Sequence, residues 1–204
     1  MSDNFWPEGK KTALSLTFDD ARLSQVDQGF HLFDAYGVKA PFSVSIQTMK
    51  RRLNQWKLAV ENGHEIGNHT YNHPCSGNFS FSKDHALEDY TLAQMEDDIL
   101  QANATIEQDL GIIPTTFAYP CGQKFVGRAE GVQSYVPLVA EHFLVGRNAF
   151  NEVPNDPTFT DLAQVTALDM DRATFETVEM RLNQARQQNA WLIFFGHEID
   201  HQGG

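Results

Sequence analysis

The chain has 204 residues, of which 41% are hydrophobic and 21% charged, and this size and composition indicate one folded domain over residues 1–204. Its 15 lysines and arginines are outnumbered by 27 aspartates and glutamates, which gives a net charge of −12. That balance argues against nucleic acid and anionic membrane surfaces as partners, since both require clustered basic residues, and no apolar run is long enough for membrane insertion.

In chain order, short apolar runs alternate with helical patterns. The first residues, MSDNFWPEGKK, lack the apolar core of a signal peptide, so we expect a cytoplasmic protein or a processed form of an exported one. Strands are predicted at 13–18, 41–46, 64–70, 115–119, 142–146, 163–168 and 191–195. Helices are predicted at 25–36, 54–62, 87–110 and 174–188, and glycine follows the first three. This alternation predicts parallel strands covered by helices, in a β/α barrel or an open doubly wound sheet.

Polar side chains collect where several of these strands end. The first strand ends in Asp19 and Asp20, the third runs into His69 and His73, and the last precedes His197. In a β/α barrel the residues just beyond the carboxyl ends of the strands form the active site. Each feature alone has a plainer explanation, such as a helix cap, a surface pair or a core histidine. Together, carboxylates and imidazoles at successive strand ends predict a metal site.

The motifs TFDD, HTYNH, FAYPCG and FFGHE occur in this order and resemble those of the polysaccharide deacetylase family, carbohydrate esterase family four. The surrounding segments AYGVKAPFSV and ENGHEIGNHT are also similar to sequences of that family, and the resemblance covers nearly the whole chain. It implies an α/β fold, a distorted and incomplete (β/α) barrel of parallel strands. Because the chain ends seven residues after His197, we expect a barrel that is open or truncated at its C-terminal side.

The resemblance also implies roles for the residues at the strand ends. A single divalent metal ion, usually zinc, with cobalt, nickel or manganese as alternatives, would be held by Asp20, His69 and His73. Asp19 would act as general base and His197 as general acid. The backbone N–H of Cys121 would stabilise the oxyanion.

The implied substrate is an acetylated carbohydrate, from which an N-linked or O-linked acetyl group leaves as acetate. Tyr119 and Phe194 are predicted to contact the substrate, Phe194 by lining a pocket for the acetyl methyl group, although a strand residue of this kind can equally be plain core. Phe79 and Phe81 lie in the polar loop after the metal motif. They either offer aromatic faces to a sugar ring or anchor the loop.

Two other functions are compatible with the same motifs. One is an amidohydrolase that opens a cyclic ureide or imide, as allantoinase-like relatives do. The other is a non-catalytic glycan-binding protein that keeps the metal ligands. The presence of Asp19 and His197, neither of which is needed to hold a metal ion, argues against the second alternative.

The chain departs from the family pattern at three places. Where the family commonly has an arginine that orients the base, this chain has Ala118. Arg22 and Arg147 are candidate substitutes, although each is predicted to be a surface arginine. The Asp-x-x-Asp-Trp motif is replaced by ALDMDR, which offers Asp169 and Asp171 without a tryptophan. The glycine that often follows the aspartate pair is an alanine here.

The two cysteines, Cys75 and Cys121, both follow a proline of these motifs, so we expect them to lie near each other. They are too few for a disulfide scaffold. Inert thiols are the leading prediction, a disulfide is the second, and thiol ligands to a metal are the third.

Overall fold

The computed structural model describes residues 5–199 and contains nine strands and six α-helices within that range. The strands are β1 (Ala13–Asp19), β2 (Pro41–Val44), β3 (Glu65–Asn68), β4 (Thr116–Ala118), β5 (Phe125–Val126), β6 (Gln133–Ser134), β7 (Val145–Arg147), β8 (Leu168–Asp169) and β9 (Trp191–Gly196). Seven of them form one sheet in the order β7-β4-β3-β2-β1-β9-β8, and every pairing in it is parallel. β5 and β6 form a separate antiparallel hairpin.

The helices are α1 (Phe30–Tyr36), α2 (Ile46–Met49), α3 (Leu53–Glu61), α4 (Leu92–Leu110), α5 (Val136–His142) and α6 (Phe175–Gln188). A π-helical turn, Gln25–Gly29, leads into α1. α1 and α4 end at Gly37 and Gly111, whose φ angles of 63° and 75° are in the left-handed region that glycine adopts without strain. α4 begins five residues later than predicted, because Thr91 forms a capping box with Gln94 and fixes the start of the helix there.

The sheet curves until its two edges are joined by the segment 163–169. The N–H of Val165 donates to the carbonyl of Gly146 at 2.8 Å, and the N–H of Asn148 donates to the carbonyl of Val165 at 2.9 Å. On the other side of the segment, Leu168 pairs with Phe194 of β9. The fold is therefore the predicted distorted, incomplete barrel, in which one bridging segment replaces a full strand ladder. Among the described helices, none has the length and apolar content that crossing a membrane requires.

Side chains of β9 alternate between the barrel interior and the helical layer. Ile193 and Phe195 pack with Val165 in the interior. Leu192 and Phe194 pack on the outside with residues of α6 and β8. Because all seven strands are parallel, their carboxyl ends lie at the same end of the barrel, and the predicted site residues are gathered there.

Candidate metal centre and its surroundings

The two aspartates after β1 point to different partners because the strand stops between them. β1 ends at Asp19, while Asp20 and Ala21 have left-handed φ angles of 71° and 51°. This turn sends the carboxylate of Asp20 toward His69 and His73 and leaves that of Asp19 buried in the barrel.

Three ligand atoms form a compact triangle. The Oδ1 atom of Asp20 lies 3.6 Å from Nε2 of His69 and 3.5 Å from Nε2 of His73, and the two Nε2 atoms are 3.1 Å apart. In a tetrahedral zinc site with bonds of about 2.0–2.1 Å, neighbouring ligand atoms are separated by about 3.3 Å. The donor types and their spacing therefore fit a single divalent metal ion held by the three predicted residues.

The ring of His69 is oriented by a second contact. Its Nδ1 atom lies 2.9 Å from the carbonyl oxygen of Ala118, and the residue is only 2% exposed. Since a carbonyl can only accept, Nδ1 donates to it, and Nε2 is the nitrogen that faces Asp20 and His73. The residue that replaces the family's arginine thus contributes its backbone to the metal site.

The loop between the two histidines is held by Asp98 of α4. This buried carboxylate accepts hydrogen bonds from the N–H groups of Tyr71 (2.6 Å) and Asn72 (3.1 Å). Thr70 and His73 have φ angles of 62° and 52°, which bend the loop back so that both rings meet. Sequence reasoning missed Asp98, and the only available signal was an acidic residue on the apolar face of a helix.

Burial and neighbouring charges set the protonation of two ligands. Burial and the adjacent His69 lower the pKa of His73 to about 4, so its ring is neutral near pH 7. Burial alone would raise the pKa of Asp20, but His69, His73 and Arg22 outweigh it and lower this pKa. Arg22 donates to Oδ2 of Asp20 at 2.9 Å from a half-exposed position, so it partners the metal ligand and not the predicted base.

The arginine that the motif lacks comes from the neighbouring strand. Arg147, the last residue of β7, is paired in register with Ala118 of β4. Its Nη2 atom donates a hydrogen bond to Oδ1 of Asp19, and its guanidinium lies 5.1 Å from the ring centroid of Phe195. Arg147 is only 5% exposed, so the prediction of a surface arginine was wrong. Because β4 and β7 are paired in parallel, an arginine at the end of β7 can reach Asp19 in place of an arginine at the end of β4.

His197 is held by Asp171, which follows β8. Nδ1 of His197 lies 2.5 Å from Oδ2 of Asp171, and the backbone N–H of His197 donates to Oδ1 at 2.9 Å. The side-chain hydrogen bond raises the pKa of His197 despite partial burial. Of the two aspartates offered by ALDMDR, Asp171 is therefore the partner, while Asp169 accepts a hydrogen bond from the N–H of Asp171.

Gln25 connects the end of β1, at Asp19, with His197, which directly follows β9. Its Nε2 atom donates to the carbonyl of Asp19 at 2.6 Å and to that of His197 at 2.7 Å, and the residue is fully buried. The ends of β1 and β9 are thereby fixed relative to each other. Nothing in the spacing of the sequence identified this glutamine.

Cys121 lies in the short turn Pro120–Gly122 with a left-handed φ of 54°, and its sulfur is bonded to that of Cys75. The leading prediction of inert thiols was wrong, and the disulfide that ranked second is present. The physical reason is topological, because β3 and β4 are neighbours and bring the two turns to a Cα–Cα distance of 6.1 Å.

Two predicted substrate contacts are contradicted by burial. Tyr119 is 1% exposed, and its hydroxyl donates to the carbonyl of Ala163 at 2.7 Å inside the core. Phe194 is 2% exposed and packs under α6, so its alternative reading as plain core is correct. The alternation of β9 turns Phe195 toward the site instead, and its ring lies 6.1 Å from that of His197.

Three exposed aromatic residues contact residues at this end of the barrel. Phe79 and Phe81 lie with their ring centroids 5.4 Å apart, and Phe81 is 6.3 Å from the ring of His73. Phe150, which sequence reasoning missed, covers Phe195 at 5.1 Å and is 63% exposed. Its φ of 59° is rare for a bulky residue, and such outliers cluster at functional sites.

Comparison with known proteins places these residues in a family context. A family model described as polysaccharide deacetylase matches residues 7–133. The chain is 26% identical over 178 residues to a gellan lyase from Bacillus sp, covering 87% of this chain and 6% of that protein. It is 29% identical over 110 residues to the peptidoglycan-N-acetylglucosamine deacetylase PgdA of Listeria monocytogenes, covering 53% and 21%. The chain thus spans less than a quarter of the length of either relative.

Solved structures share the fold at low sequence identity. The deacetylase PplD of Streptococcus pyogenes, determined with acetate, is 18% identical with a TM-score of 0.63, over 82% of this chain and 69% of that one. The allantoinase PuuE is 14% identical with a TM-score of 0.65, over 95% and 79%. A family-four carbohydrate esterase pseudoenzyme from Bacillus anthracis is 18% identical with a TM-score of 0.56, over 93% and 56%. At these identities the likeness concerns the fold alone.

Proposed function

Because this chain belongs to the polysaccharide deacetylase family, we propose that it is a metal-dependent hydrolase that removes acetyl groups from a carbohydrate. The observation that carries the proposal is the triangle of Asp20, His69 and His73, whose ligand atoms lie 3.1–3.6 Å apart at the carboxyl end of the barrel. A candidate base and a candidate acid lie beside this triangle, each with its own charged partner.

Asp20, His69 and His73 would hold the divalent ion, with zinc as the best match to one carboxylate and two imidazoles. When bound, such an ion lowers the pKa of water to about 7 and polarises a carbonyl group. The neutral ring of His73 and the ionised carboxylate of Asp20 are ready to bind it. Three protein ligands leave a coordination position for water or substrate.

Asp19 is the proposed general base. Its Oδ1 atom is held by Arg147, so Oδ2 is the oxygen that would take a proton from the attacking water. The buried guanidinium forms an ion pair with this carboxylate and restricts its rotation. Arg147 thus acts as a positioning residue for the base.

His197 is the proposed general acid. With Nδ1 bound to Asp171, its Nε2–H is free to donate a proton to the leaving amine or alkoxide, and the raised pKa keeps that proton in place to higher pH. The backbone N–H of Cys121 would stabilise the negative charge on the acetyl oxygen. One such donor typically contributes about 10²–10³-fold to kcat.

The exposed aromatic side chains support a carbohydrate as the substrate. Phe79 and Phe81 near His73, and Phe150 over Phe195, present exposed apolar faces on which a sugar ring can stack. A non-catalytic glycan-binding role would leave unexplained why Asp19 and His197 each keep a buried or half-buried charged partner.

The proposal is tested by acetate release from acetylated chito-oligosaccharides, peptidoglycan fragments and acetylated xylan, with and without a chelator. We expect acetate from at least one of these glycans, loss of the activity with chelator, and recovery with one equivalent of zinc. Opening of a cyclic ureide without acetate release from any glycan would instead support the amidohydrolase function. Acetate release that persists in fully metal-stripped protein would contradict the metal mechanism.

A further inference from the structure

A disulfide connects two turns of the proposed active site. Cys75 lies two residues after the metal ligand His73, and Cys121 is the residue whose N–H faces the oxyanion in the proposed mechanism. The two cysteines are 46 residues apart in sequence, and Sγ of Cys75 lies 3.8 Å from Nδ1 of His73. The bond therefore joins the metal loop directly to the oxyanion turn.

The Cys75 end of this bond is rigid. Its N–H donates to the hydroxyl of Ser82 at 2.8 Å, and that hydroxyl donates back to the carbonyl of Cys75 at 2.8 Å. The same carbonyl also accepts from the N–H of Leu87 at 3.0 Å. Cys75 and Ser82 are both fully buried. Cys75 is thus fixed by contacts of its backbone with Ser82 and Leu87, neither of which is a candidate metal ligand.

The Cys121 end holds a conformation that its own turn does not favour. Cys121 has a φ of 54°, and a non-glycine residue keeps such a left-handed angle only when its surroundings impose it. The turn Pro120–Gly122 is a single 3-10 turn, and Cys121 is partly exposed. One hydrogen bond also joins the two loops, from the N–H of Ser76 to the side chain of Gln123 at 2.7 Å.

We propose that the Cys75–Cys121 disulfide is a positioning element of this site, which holds the N–H of Cys121 where the oxyanion develops. The inference rests on the proposed hydrolase function. It follows that reduction of the bond lowers turnover while the metal ion stays bound, because Asp20, His69 and His73 are held by contacts other than the disulfide.

The reduction proceeds in two steps and consumes one phosphine and one water molecule. A water-soluble trialkylphosphine attacks Sγ of Cys121, since Cys121 is partly exposed and Cys75 is fully buried, and the S–S bond breaks with Cys75 leaving as a thiolate. Water then releases the second thiol and leaves a phosphine oxide. Phosphorus supplies the two electrons, and the products are two thiols. A phosphine is preferred to a dithiol because a dithiol would also bind the metal ion.

The test compares the metal-loaded protein before and after phosphine treatment, at a temperature well below the unfolding transition of the reduced form. We expect kcat on an acetylated glycan to fall about tenfold or more, with KM and metal content unchanged. Amide hydrogen exchange over residues 120–123 should become faster, and reoxidation should restore both values. An unchanged kcat after complete reduction, verified by mass, overturns the proposal, and so does a fall that tracks loss of metal.

The matched variant carries both Cys75→Ser and Cys121→Ser. We expect it to have the low kcat of the reduced protein and no response to phosphine. A wild-type kcat in this variant overturns the proposal. If neither the oxidised nor the reduced protein releases acetate, the proposed function is refuted. Hydrogen exchange still tests separately whether the disulfide positions the Cys121 turn. In that case, unchanged exchange over 120–123 after reduction overturns the positioning proposal.

Discussion

The two halves of the site are built in different ways. The metal half takes His69 and His73 from one loop and Asp20 from the turn after β1, two strands away in the sheet. In the acid–base half no two residues share a loop, and each comes from the end of a different strand. Asp19 is paired with Arg147 across 128 residues of sequence, and His197 with Asp171 across 26.

This difference shows which parts of such a site are fixed by spacing and which by topology. Metal ligands must meet at one point with bonds of about 2 Å, so their spacing in the chain is constrained. An orienting partner only has to reach its residue from some neighbouring strand, and parallel strands bring all their carboxyl ends together. The arginine can therefore move from β4 to β7 while the metal half keeps its pattern.

Removing a ligand from the metal half should have the largest effect. We expect His69→Ala to lose stoichiometric metal binding and detectable acetate release together, because two remaining ligands cannot hold the ion firmly. Metal content by mass spectrometry and acetate release check this. Full activity of the metal-stripped His69→Ala protein would show that the ligand assignment is wrong.

Replacing the proposed base should separate metal binding from turnover. We expect Asp19→Asn to keep one equivalent of metal but to lower kcat by about 10²–10⁴-fold, since the amide cannot accept the proton. The same two measurements apply. Loss of metal in this variant would mean that the roles of Asp19 and Asp20 are reversed.

Removing the orienting arginine should have a smaller effect on kcat and a clear effect on stability. We expect Arg147→Met to lower kcat by about 10–100-fold with metal retained. Because Asp19 is then buried without its partner, the free energy of unfolding should fall by about 3–5 kcal/mol. The double variant Asp19→Asn with Arg147→Met has no buried charge and should regain part of that stability. If Arg147→Met is as stable as the wild type, Asp19 and Arg147 do not form a buried ion pair.

Removing the partner of the acid should change the pH dependence. The hydrogen bond from Asp171 raises the pKa of His197, so the wild-type acid stays protonated to higher pH. In Asp171→Asn this pKa falls, and the high-pH limb of the kcat/KM profile should move to lower pH. Asp169→Asn, at an exposed position two residues away, should leave the limb in place. If the high-pH limb of the kcat/KM profile does not move in Asp171→Asn, His197 is not the general acid.

Removing the aromatic ring of Phe81, which lies near His73, should have the smallest effect. We expect Phe81→Ala to raise KM for an acetylated oligosaccharide about 2–10-fold and to leave hydrolysis of a small aryl acetate unchanged. Phe159→Ala, which removes a phenylalanine that is 90% exposed, is the control and should change neither. Equal effects of the two variants would argue that Phe81 only anchors its loop.

Apolar runs and terminating glycines are local signals, and they were sufficient to predict parallel strands covered by helices; the family resemblance added the distorted barrel. The motifs predicted the three candidate metal ligands, whose ligand atoms lie 3.1–3.6 Å apart in the fold. The sequence could not predict the partner of Asp19, since the pairing of β4 with β7 is a property of the assembled sheet. The disulfide was underrated for the same reason. Phe194 was assigned to the site because the apolar run of β9 does not show which side chains face the barrel interior.

Anomalous diffraction at the zinc edge from zinc-soaked crystals tests the central claim most directly. The account predicts one strong peak about 2.0–2.2 Å from a carboxylate oxygen of Asp20 and from Nε2 of both His69 and His73. The absence of a peak at this point would contradict it.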